Sequence, residues 1–189
     1  MNKSPVRCSK EDRRKQILET AKAVFIEKGY TSTTTAGIAK DANIAEVTLF
    51  RYFLSKQELF ESIFKPFLHD SINDKVILDE TKPLEKQVFD LLDKKTEFIS
   101  QHQGEIKLLL IEHERLDLRE NYISKMSEYV KSQLLDLNLN IDDAYHMRIL
   151  VGMLLSFLYF PAKTKKEKEV FINNIVDLLV GRSEAGVNH

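Results

Sequence analysis

Apolar residues recur at helical spacing along almost the whole chain, and this periodicity constrains the fold more than any other feature of the sequence. Three segments have the form of a capping box, in which Ser or Thr precedes an acidic residue by three positions: Ser9–Asp12, Ser55–Glu58 and Thr164–Glu167. The sequence lacks runs of alternating β-branched residues bounded by turn pairs. It also has only 6 Gly and 4 Pro in 189 residues. The sequence therefore predicts an all-α fold of about nine helices.

The first third of the chain is predicted to hold two short helices joined by a tight turn, preceded by a longer helix. The first helix covers about 10–28, and Thr34 or Thr35 caps the second. Asn43 makes the turn into a third helix at about 46–53. This arrangement is typical of a helix-turn-helix, in which one helix holds the other out from the surface.

Breaks in the pattern predict where the later helices end. Pro66 should kink or end the fourth helix near its last turns. Gly104 should separate two helices, and the last helix should stop at Gly181. The last two helices are expected at about 142–160 and 165–180, and the first of these is apolar nearly all round in its second half.

Charge is distributed unevenly along the chain. Residues 1–65 carry twelve Lys and Arg against eight Asp and Glu, a net charge of +4, and the remainder carries a net charge of −5. A basic module on an acidic body suits a protein that points one end at a polyanion, although a solvated basic face has a similar composition.

Four short elements follow one another without gaps in the predicted three-helix region: Ile38-Ala39, Thr48-Leu49-Phe50, Tyr52-Phe53 and Ser55-Lys56. Together they resemble the DNA-binding end of the tetracycline-repressor (TetR) family of transcriptional regulators, over roughly residues 10–60. The resemblance implies an N-terminal three-helix DNA-binding domain and a C-terminal helical domain for ligand binding and dimerisation.

The predicted domain organisation follows from this resemblance and from the breaks in the helical pattern. It comprises a flexible basic arm at 1–9, a helix-turn-helix DNA-binding domain at 10–56, a helical effector-binding and dimerisation domain at 57–181, and a disordered tail at 182–189.

The resemblance implies a set of DNA-contacting residues on the predicted second and third helices and beside them. These residues are Arg14, Thr33, Thr34, Glu46, Val47, Thr48, Phe50, Arg51, Tyr52 and Lys56. Thr34, Tyr52 and Lys56 are expected to bind backbone phosphates. Arg51 is expected to pair with a phosphate or to reach a guanine edge.

The third helix departs from the family pattern at its start. Ala45 stands where the family usually has a capping Ser or Thr, and the missing cap should cost about 1 kcal/mol. Glu46 suits the helix dipole but would repel phosphate unless it accepts from a cytosine amino group. Val47 could meet a thymine methyl group, and Phe50, where the family often has Tyr, could pack on a sugar or on such a methyl group. We expect an operator unlike those of close consensus members.

The C-terminal part is expected to form a homodimer, because one recognition helix is too small to select a site in a genome and two-fold dimers read palindromic double-stranded DNA. The resemblance places the dimer surface on the last two helices. The alternative is that these helices only complete a monomer core.

A small, largely apolar effector is expected in the C-terminal part, bound by apolar and aromatic residues on helices that surround the family's ligand cavity. These residues are Phe60, Phe64, Phe67, Phe89, Met126, Tyr129, Met153 and Phe157. Each of them alone is equally explained by core packing. Glu112, His113, Arg115 and His146 would supply polar anchors in such a pocket, or else belong to a charged surface.

Other classes of protein find little support in the sequence. It has no Gly-rich phosphate loop, nucleophile elbow or zinc-protease motif, and its five His residues lack metal-ligand spacing, so neither an enzyme nor a cofactor is predicted. The single Cys8 favours a cytoplasmic location, and the longest apolar stretch is too short to span a membrane. A repressor is expected, and the alternative is a helical dimer that acts through protein partners with a vestigial DNA-binding module.

Overall fold

A computed structural model describes residues 9–73, 76–112, 122–139, 141 and 144–185. These residues form helices and no strand, which confirms the predicted all-α fold. The helices are α1 (Lys10–Ser32), α2 (Thr35–Asp41), α3 (Glu46–Phe50), α4 (Lys56–Asn73), α5 (Leu84–Gln101), α6 (Gln103–Glu112), α7 (Tyr122–Asp136), α8 (Tyr145–Tyr159) and α9 (Lys165–Ala185). In the described part of the chain, none of them has the length and apolar character that crossing a bilayer requires.

The predicted capping boxes begin three of these helices. At α1 the Asp12 N–H donates to Ser9 Oγ at 3.0 Å, and the Asp12 carboxylate accepts from the Ser9 hydroxyl and backbone N–H. The hydrogen bond from the Ser9 hydroxyl, followed by the one from its N–H, lowers the pKa of the Asp12 carboxyl. The Glu58 N–H donates to Ser55 Oγ at 3.0 Å in α4, and the Thr164 hydroxyl caps α9 in the same way at 3.1 Å.

The described residues divide into two compact units, the N-terminal one ending at Asp70 and the C-terminal one beginning at Ser71. The division falls inside α4, and the domain boundary predicted between residues 56 and 57 falls at the first turn of that helix.

The N-terminal unit closes its core with a cluster of four aromatic rings from α1 and α4. The Phe60 ring centroid lies 5.2 Å from that of Phe25, 5.1 Å from that of Tyr30 and 4.3 Å from that of Phe64. Edge-to-face and offset ring pairs at these distances add to the stabilisation from buried apolar area. This aromatic cluster fixes α4 against α1 behind the helix-turn-helix.

The C-terminal unit is organised around α5, whose most extensive contacts are with α8 and α9. The inner face of α5 buries Val88, Leu91, Leu92 and Ile99. Polar side chains are also buried in this unit, and they are Lys95, Thr96, Glu105, Glu112, Gln133 and His146.

Two predicted helix ends are wrong, those at Gly104 and Gly181, and a third is decided between its alternatives. α4 continues past Pro66, so the helix does not end there and a kink stays a prediction, and α9 runs beyond Gly181 to Ala185. The break after α5 lies at His102, whose φ of −120° is not helical, whereas Gly104 lies inside α6. A single Gly costs a helix only about 1 kcal/mol, so it does not by itself end one.

Some predicted features lie outside the described residues. They are positions 1–8 of the basic arm and positions 186–189 of the tail.

Candidate nucleic-acid interface

The turn between α2 and α3 is held in a defined shape by the backbone and by α1. Asn43 has φ of 53°, a left-handed conformation that Asn tolerates better than most residues, so the predicted turn residue is confirmed. The Ile44 N–H donates to the Ala39 carbonyl at 2.9 Å, which closes the turn. From α1, Gln16 Nε2 donates to the Ala42 carbonyl at 3.0 Å. The angle between the two short helices is therefore fixed by hydrogen bonds on both sides.

The outer face of α3 carries an apolar stripe. Val47 is 61% exposed, Phe50 is 42% exposed, and Leu54, which follows the helix, is 84% exposed. Leu49 and Phe53 are fully buried, as the sequence predicts. α3 itself ends at Phe50, earlier than the predicted residue 53. Val47 and Phe50 lie three positions apart on α3 and so share one face, and exposed apolar side chains of this size are unfavourable in water unless they meet a partner surface.

Polar donors lie beside the apolar stripe. Arg51 is exposed, and Thr48 and Tyr52 are half-buried. None of these three side chains forms a hydrogen bond or ion pair with any residue that the structure describes. A guanidinium and two hydroxyl groups are therefore left to donate to an external acceptor such as a phosphate or a base edge.

The start of α3 is tied to the start of α2 through side chains. Ala45 makes no side-chain cap, as predicted for this position. Instead, Thr35 Oγ1 donates to Glu46 Oε1 at 2.6 Å. Because Thr35 and Glu46 are the first residues of α2 and α3, this bond holds the Glu46 carboxylate in place at the edge of the outer face. Its second oxygen remains an acceptor at an exposed position.

The start of α2 presents a second ordered polar group. The Gly37 N–H donates to Thr34 Oγ1 at 3.0 Å, so Thr34 rather than Thr35 caps the helix. This bond uses a lone pair of the exposed hydroxyl and leaves its proton to donate to a phosphate. A Cβ on Gly37 would lie 3.1 Å from the same hydroxyl oxygen, so glycine leaves room for the cap.

The side chains of Lys56 and Thr33 form hydrogen bonds with backbone carbonyls of the N-terminal unit. Lys56 Nζ donates to the carbonyls of Tyr30 at 2.9 Å and Thr33 at 2.8 Å, and it lies 4.3 Å from the Tyr30 ring centroid. An ammonium has three donors, so one remains for a phosphate. Thr33 is 1% exposed, and its hydroxyl donates to the Gly29 carbonyl at 2.7 Å. The structure thus does not bring the Thr33 side chain to the outer face.

Arg14 flanks the interface from α1. Its guanidinium carbon lies 4.9 Å from the centroid of the Phe53 ring, and the residue is exposed. Stacking on a buried ring orients the guanidinium without using its hydrogen-bond donors.

The predicted effector residues are distributed over both units. In the N-terminal unit, Phe60 and Phe64 are buried in the aromatic cluster, and Phe67 is half-buried on α4. In the C-terminal unit, Met153 and Phe157 are buried, whereas Phe89 and Tyr129 are half-buried. Met126 lies on α7. Their binding of an effector stays a prediction. Of the suggested polar anchors, Glu112 and His146 are buried, so the surface-charge interpretation is wrong for these two. His113 and Arg115 lie outside the described residues.

The C-terminal unit exposes apolar residues on its last two helices. Tyr159 and Phe160 are exposed at the end of α8, and Val170 and Phe171 are exposed on α9. Gly152 on α8 is also exposed, and a Cβ added to it would meet no atom within 4 Å. Another helix could approach the α8 backbone closely at this point.

Sequence reasoning missed one residue that holds the start of α3. Thr35 was considered only as a possible cap, and its bond to Glu46 depends on the angle between α2 and α3, which no local pattern encodes. In the described part of the chain, no group of three or more His, Cys, Asp or Glu residues is placed to hold a metal ion.

A helix-turn-helix that exposes an apolar stripe beside unpaired donors defines a class of DNA-binding protein. Residues 17–63 match the family model described as bacterial regulatory proteins, tetR family.

Relatives of known name support this class. The chain is 35% identical over 99 residues to the uncharacterized HTH-type transcriptional regulator YhgD of Bacillus subtilis, a match that spans about half of each protein (51% and 51%). It is 32% identical over 134 residues to the nucleoid occlusion factor SlmA of Aliivibrio fischeri, covering 67% of this chain and 68% of SlmA. It is 31% identical over 138 residues to the HTH-type transcriptional repressor KstR2 of Mycobacterium tuberculosis, covering 70% and 68%.

Solved structures show the same fold. GusR of Salmonella enterica superposes with a TM-score of 0.69 at 17% identity, covering 92% of this chain and 98% of GusR. The ketosteroid regulator KstR2 of M. tuberculosis gives 0.61 at 20% identity, covering 94% and 97%. The chain belongs to the tetR family, and it is a transcriptional regulator with a DNA-binding helix-turn-helix.

Proposed function

We propose that this protein is a repressor that binds a palindromic operator as a homodimer and releases it when a small molecule binds the C-terminal unit. The observation that carries the DNA part is the outer face of α3, where Arg51, Thr48 and Tyr52 present unpaired donors beside an exposed apolar stripe.

The contacts divide by chemistry. Thr34, Tyr52 and the remaining donor of Lys56 bind phosphates, and Arg14 anchors the flanking backbone. Arg51 reads a guanine edge or pairs with a phosphate, and Val47 and Phe50 pack on thymine methyl groups or sugars. These positions fix the protein on the duplex and give it a preference for particular bases.

Selection from random double-stranded DNA tests this proposal. The full chain should recover a two-fold palindrome, and its affinity should fall as salt rises because phosphate contacts release counterions. Recovery of unrelated sequences that bind only in a salt-sensitive manner would contradict the proposed operator recognition.

Homodimer formation is supported by the exposed apolar residues of α8 and α9. We propose that this surface, including Val170, Phe171 and the open backbone at Gly152, pairs with its copy around a two-fold axis. Phe171→Glu should shift the protein to monomers in sedimentation velocity and lower operator affinity. Asn173→Glu, an exposed change on the same helix two residues away, is the charge control. Equal dimer content in the wild type and Phe171→Glu would reject this surface.

Effector release is proposed as a population shift. A ligand that favours one conformation of the C-terminal unit would change the spacing of the two recognition helices in the dimer, and that spacing must match one or more turns of the duplex. DNA as the target also implies a cytoplasmic location and no catalytic role.

A second candidate function is favoured by the relatives named nucleoid occlusion factor. In that case a protein partner rather than promoter blocking would deliver the output. Mapping of bound sites across the genome distinguishes the two, since a repressor should be enriched at a few promoters and the second function predicts no such enrichment.

A further inference from the structure

The C-terminal unit contains a cavity that none of the predicted effector residues lines. It has a volume of about 530 Å³ and is formed by the segment 76–80, the start of α5 and the end of α7. Small-molecule sites commonly have volumes of about 300–1,000 Å³. Apolar walls come from residues such as Val76, Leu84 and Leu137.

Gln133 places a buried polar group in the wall of this cavity. The residue is 4% exposed, and its Nε2 donates to the Val76 carbonyl over a long distance of 3.5 Å. Its Oε1 is buried and has no hydrogen-bond partner. Because the Val76 carbonyl can only accept, it fixes the amide with its nitrogen toward Val76, and the oxygen is left as the group that needs a donor.

The charged residues that line the cavity indicate which kind of ligand could donate to Gln133 Oε1. Glu80 and Asp136 line it, and no Lys, Arg or His does so among the residues that the structure describes there. A carboxylate ligand would be repelled by the two acidic side chains and could not donate to Gln133 Oε1. A cationic N–H donor would meet all three favourably.

We propose that this cavity binds an organic ammonium ion with an apolar body, whose N–H donates to Gln133 Oε1 and whose charge lies near Asp136 and Glu80. The apolar body packs on Val76, Leu84 and Leu137. Under the proposed function, this ammonium ion is the effector whose binding releases DNA. Only that consequence rests on the proposed function, whereas binding of the ion to the cavity does not.

Calorimetric titration of the full chain without DNA tests the site with three probes of similar size: 2-phenylethylammonium, 2-phenylethanol and phenylacetate. The ammonium ion should bind tightest, the alcohol about tenfold or more weaker, and the carboxylate not measurably. NMR shifts caused by the ammonium ion should include the amides of Val76 and Gln133.

Matched variants identify the groups that bind. Gln133→Leu should weaken ammonium binding at least tenfold, whereas Gln103→Leu should not, although Gln103 Nε2 also donates to a backbone carbonyl, that of Phe157 at 3.4 Å. Asp136→Asn should narrow the preference for ammonium over alcohol, and Asp177→Asn, an exposed acid on α9, should leave it unchanged. If Gln133→Leu does not fold, Leu84→Trp, which fills the cavity, should abolish binding instead.

The proposal is overturned if phenylacetate binds as well as the ammonium ion, if no probe binds saturably, or if Gln133→Leu and Leu84→Trp both bind like the wild type. Operator binding without any probe is measured separately by fluorescence anisotropy. Its loss would reject the proposed regulator and leave the ammonium site standing, whereas normal operator binding with no ammonium binding would reject only the site.

Discussion

The two units of the molecule differ in what they bury and what they expose. Among the described residues of the N-terminal unit, Thr33 is the one buried polar side chain, and the core is closed by the aromatic cluster of Phe25, Tyr30, Phe60 and Phe64. In the part of the C-terminal unit that the structure describes, six polar side chains are buried, and aromatic residues on α8 and α9 are exposed. A closed apolar core gives a rigid platform for the DNA-contacting face.

The C-terminal unit buries polar groups and exposes apolar residues, and the proposed dimer and ligand would account for both features. Buried polar groups are costly unless they are hydrogen-bonded, and Gln133 Oε1 lacks a partner. Exposed apolar residues such as Phe160 and Phe171 are likewise unfavourable in water. The comparison teaches that the first unit combines a closed core with an outer face proposed to meet DNA, whereas the second has polar and apolar groups that the proposed dimer and ligand would cover.

The largest expected effect tests whether the N-terminal unit is a closed platform. Phe60→Ala should lower the free energy of unfolding by about 3–5 kcal/mol, because it opens a cavity at the centre of the aromatic cluster. Phe50→Ala, which removes an exposed ring, should change it by no more than about 0.5 kcal/mol and should instead weaken DNA binding. Urea denaturation and fluorescence anisotropy measure the two effects. Similar stability losses in both variants would remove the distinction between core and displayed face.

The next effect separates the displayed face from the surface of the second unit. Arg51→Ala should weaken operator binding by about 1–3 kcal/mol with an unchanged melting temperature, since the exposed Arg51 side chain forms no hydrogen bond or ion pair with the described residues. Arg148→Ala, an exposed arginine on α8, serves as the control and should bind DNA like the wild type. If the Arg148 variant loses as much affinity as the Arg51 variant, general positive charge rather than the α3 face governs binding.

Local sequence signals predicted the N-terminal unit well. Capping boxes, the turn residue Asn43 and the inward positions Leu49 and Phe53 depend on neighbours within a few residues, and the structure confirms each of them. Thr33 was assigned to the DNA-binding face because a run of three threonines gives no local sign of which one points inward. In the structure Thr33 is buried, and its hydroxyl donates to the carbonyl of Gly29, whose φ is 76°.

Contacts between distant residues could not be predicted from the sequence. Lys56 binds carbonyls 23 and 26 positions earlier, and Gln133 reaches the carbonyl of Val76, 57 positions away. Such contacts depend on how helices pack, whereas helical periodicity reports only which face of each helix is apolar. For the same reason the sequence suggested effector residues by their helix and type, and it gave no indication of the cavity at 76–80.

A smaller effect tests whether the hydrogen bond between Thr35 at the start of α2 and Glu46 at the start of α3 contributes to DNA recognition. Thr35→Val removes the hydrogen bond that holds Glu46, so the base preference opposite Glu46 should relax by about 1 kcal/mol while the overall affinity changes less. Glu46→Gln should remove the same preference and raise affinity for unselected DNA, because a negative charge near phosphates is lost. Thr20→Val on α1 is the control. Selection of operators with each variant measures the preference, and an unaltered consensus for Thr35→Val would show that the bond has no role in recognition.

The smallest effect concerns the start of α3, which has no side-chain cap. Ala45 provides no cap, and the Thr35–Glu46 bond acts only on side chains, so backbone N–H groups of the first turn of α3 remain without an intrahelical partner. Ala45→Ser should raise the free energy of unfolding by about 0.5–1 kcal/mol by supplying the missing acceptor, and it should also strengthen DNA binding because a serine hydroxyl can donate to a phosphate. Ala45→Gly, which can form no side-chain cap, separates capping from a simple change of side-chain size. If Ala45→Ser leaves both stability and affinity unchanged, the N–H groups at the start of α3 do not need a side-chain acceptor, and the missing cap does not weaken the N-terminal unit.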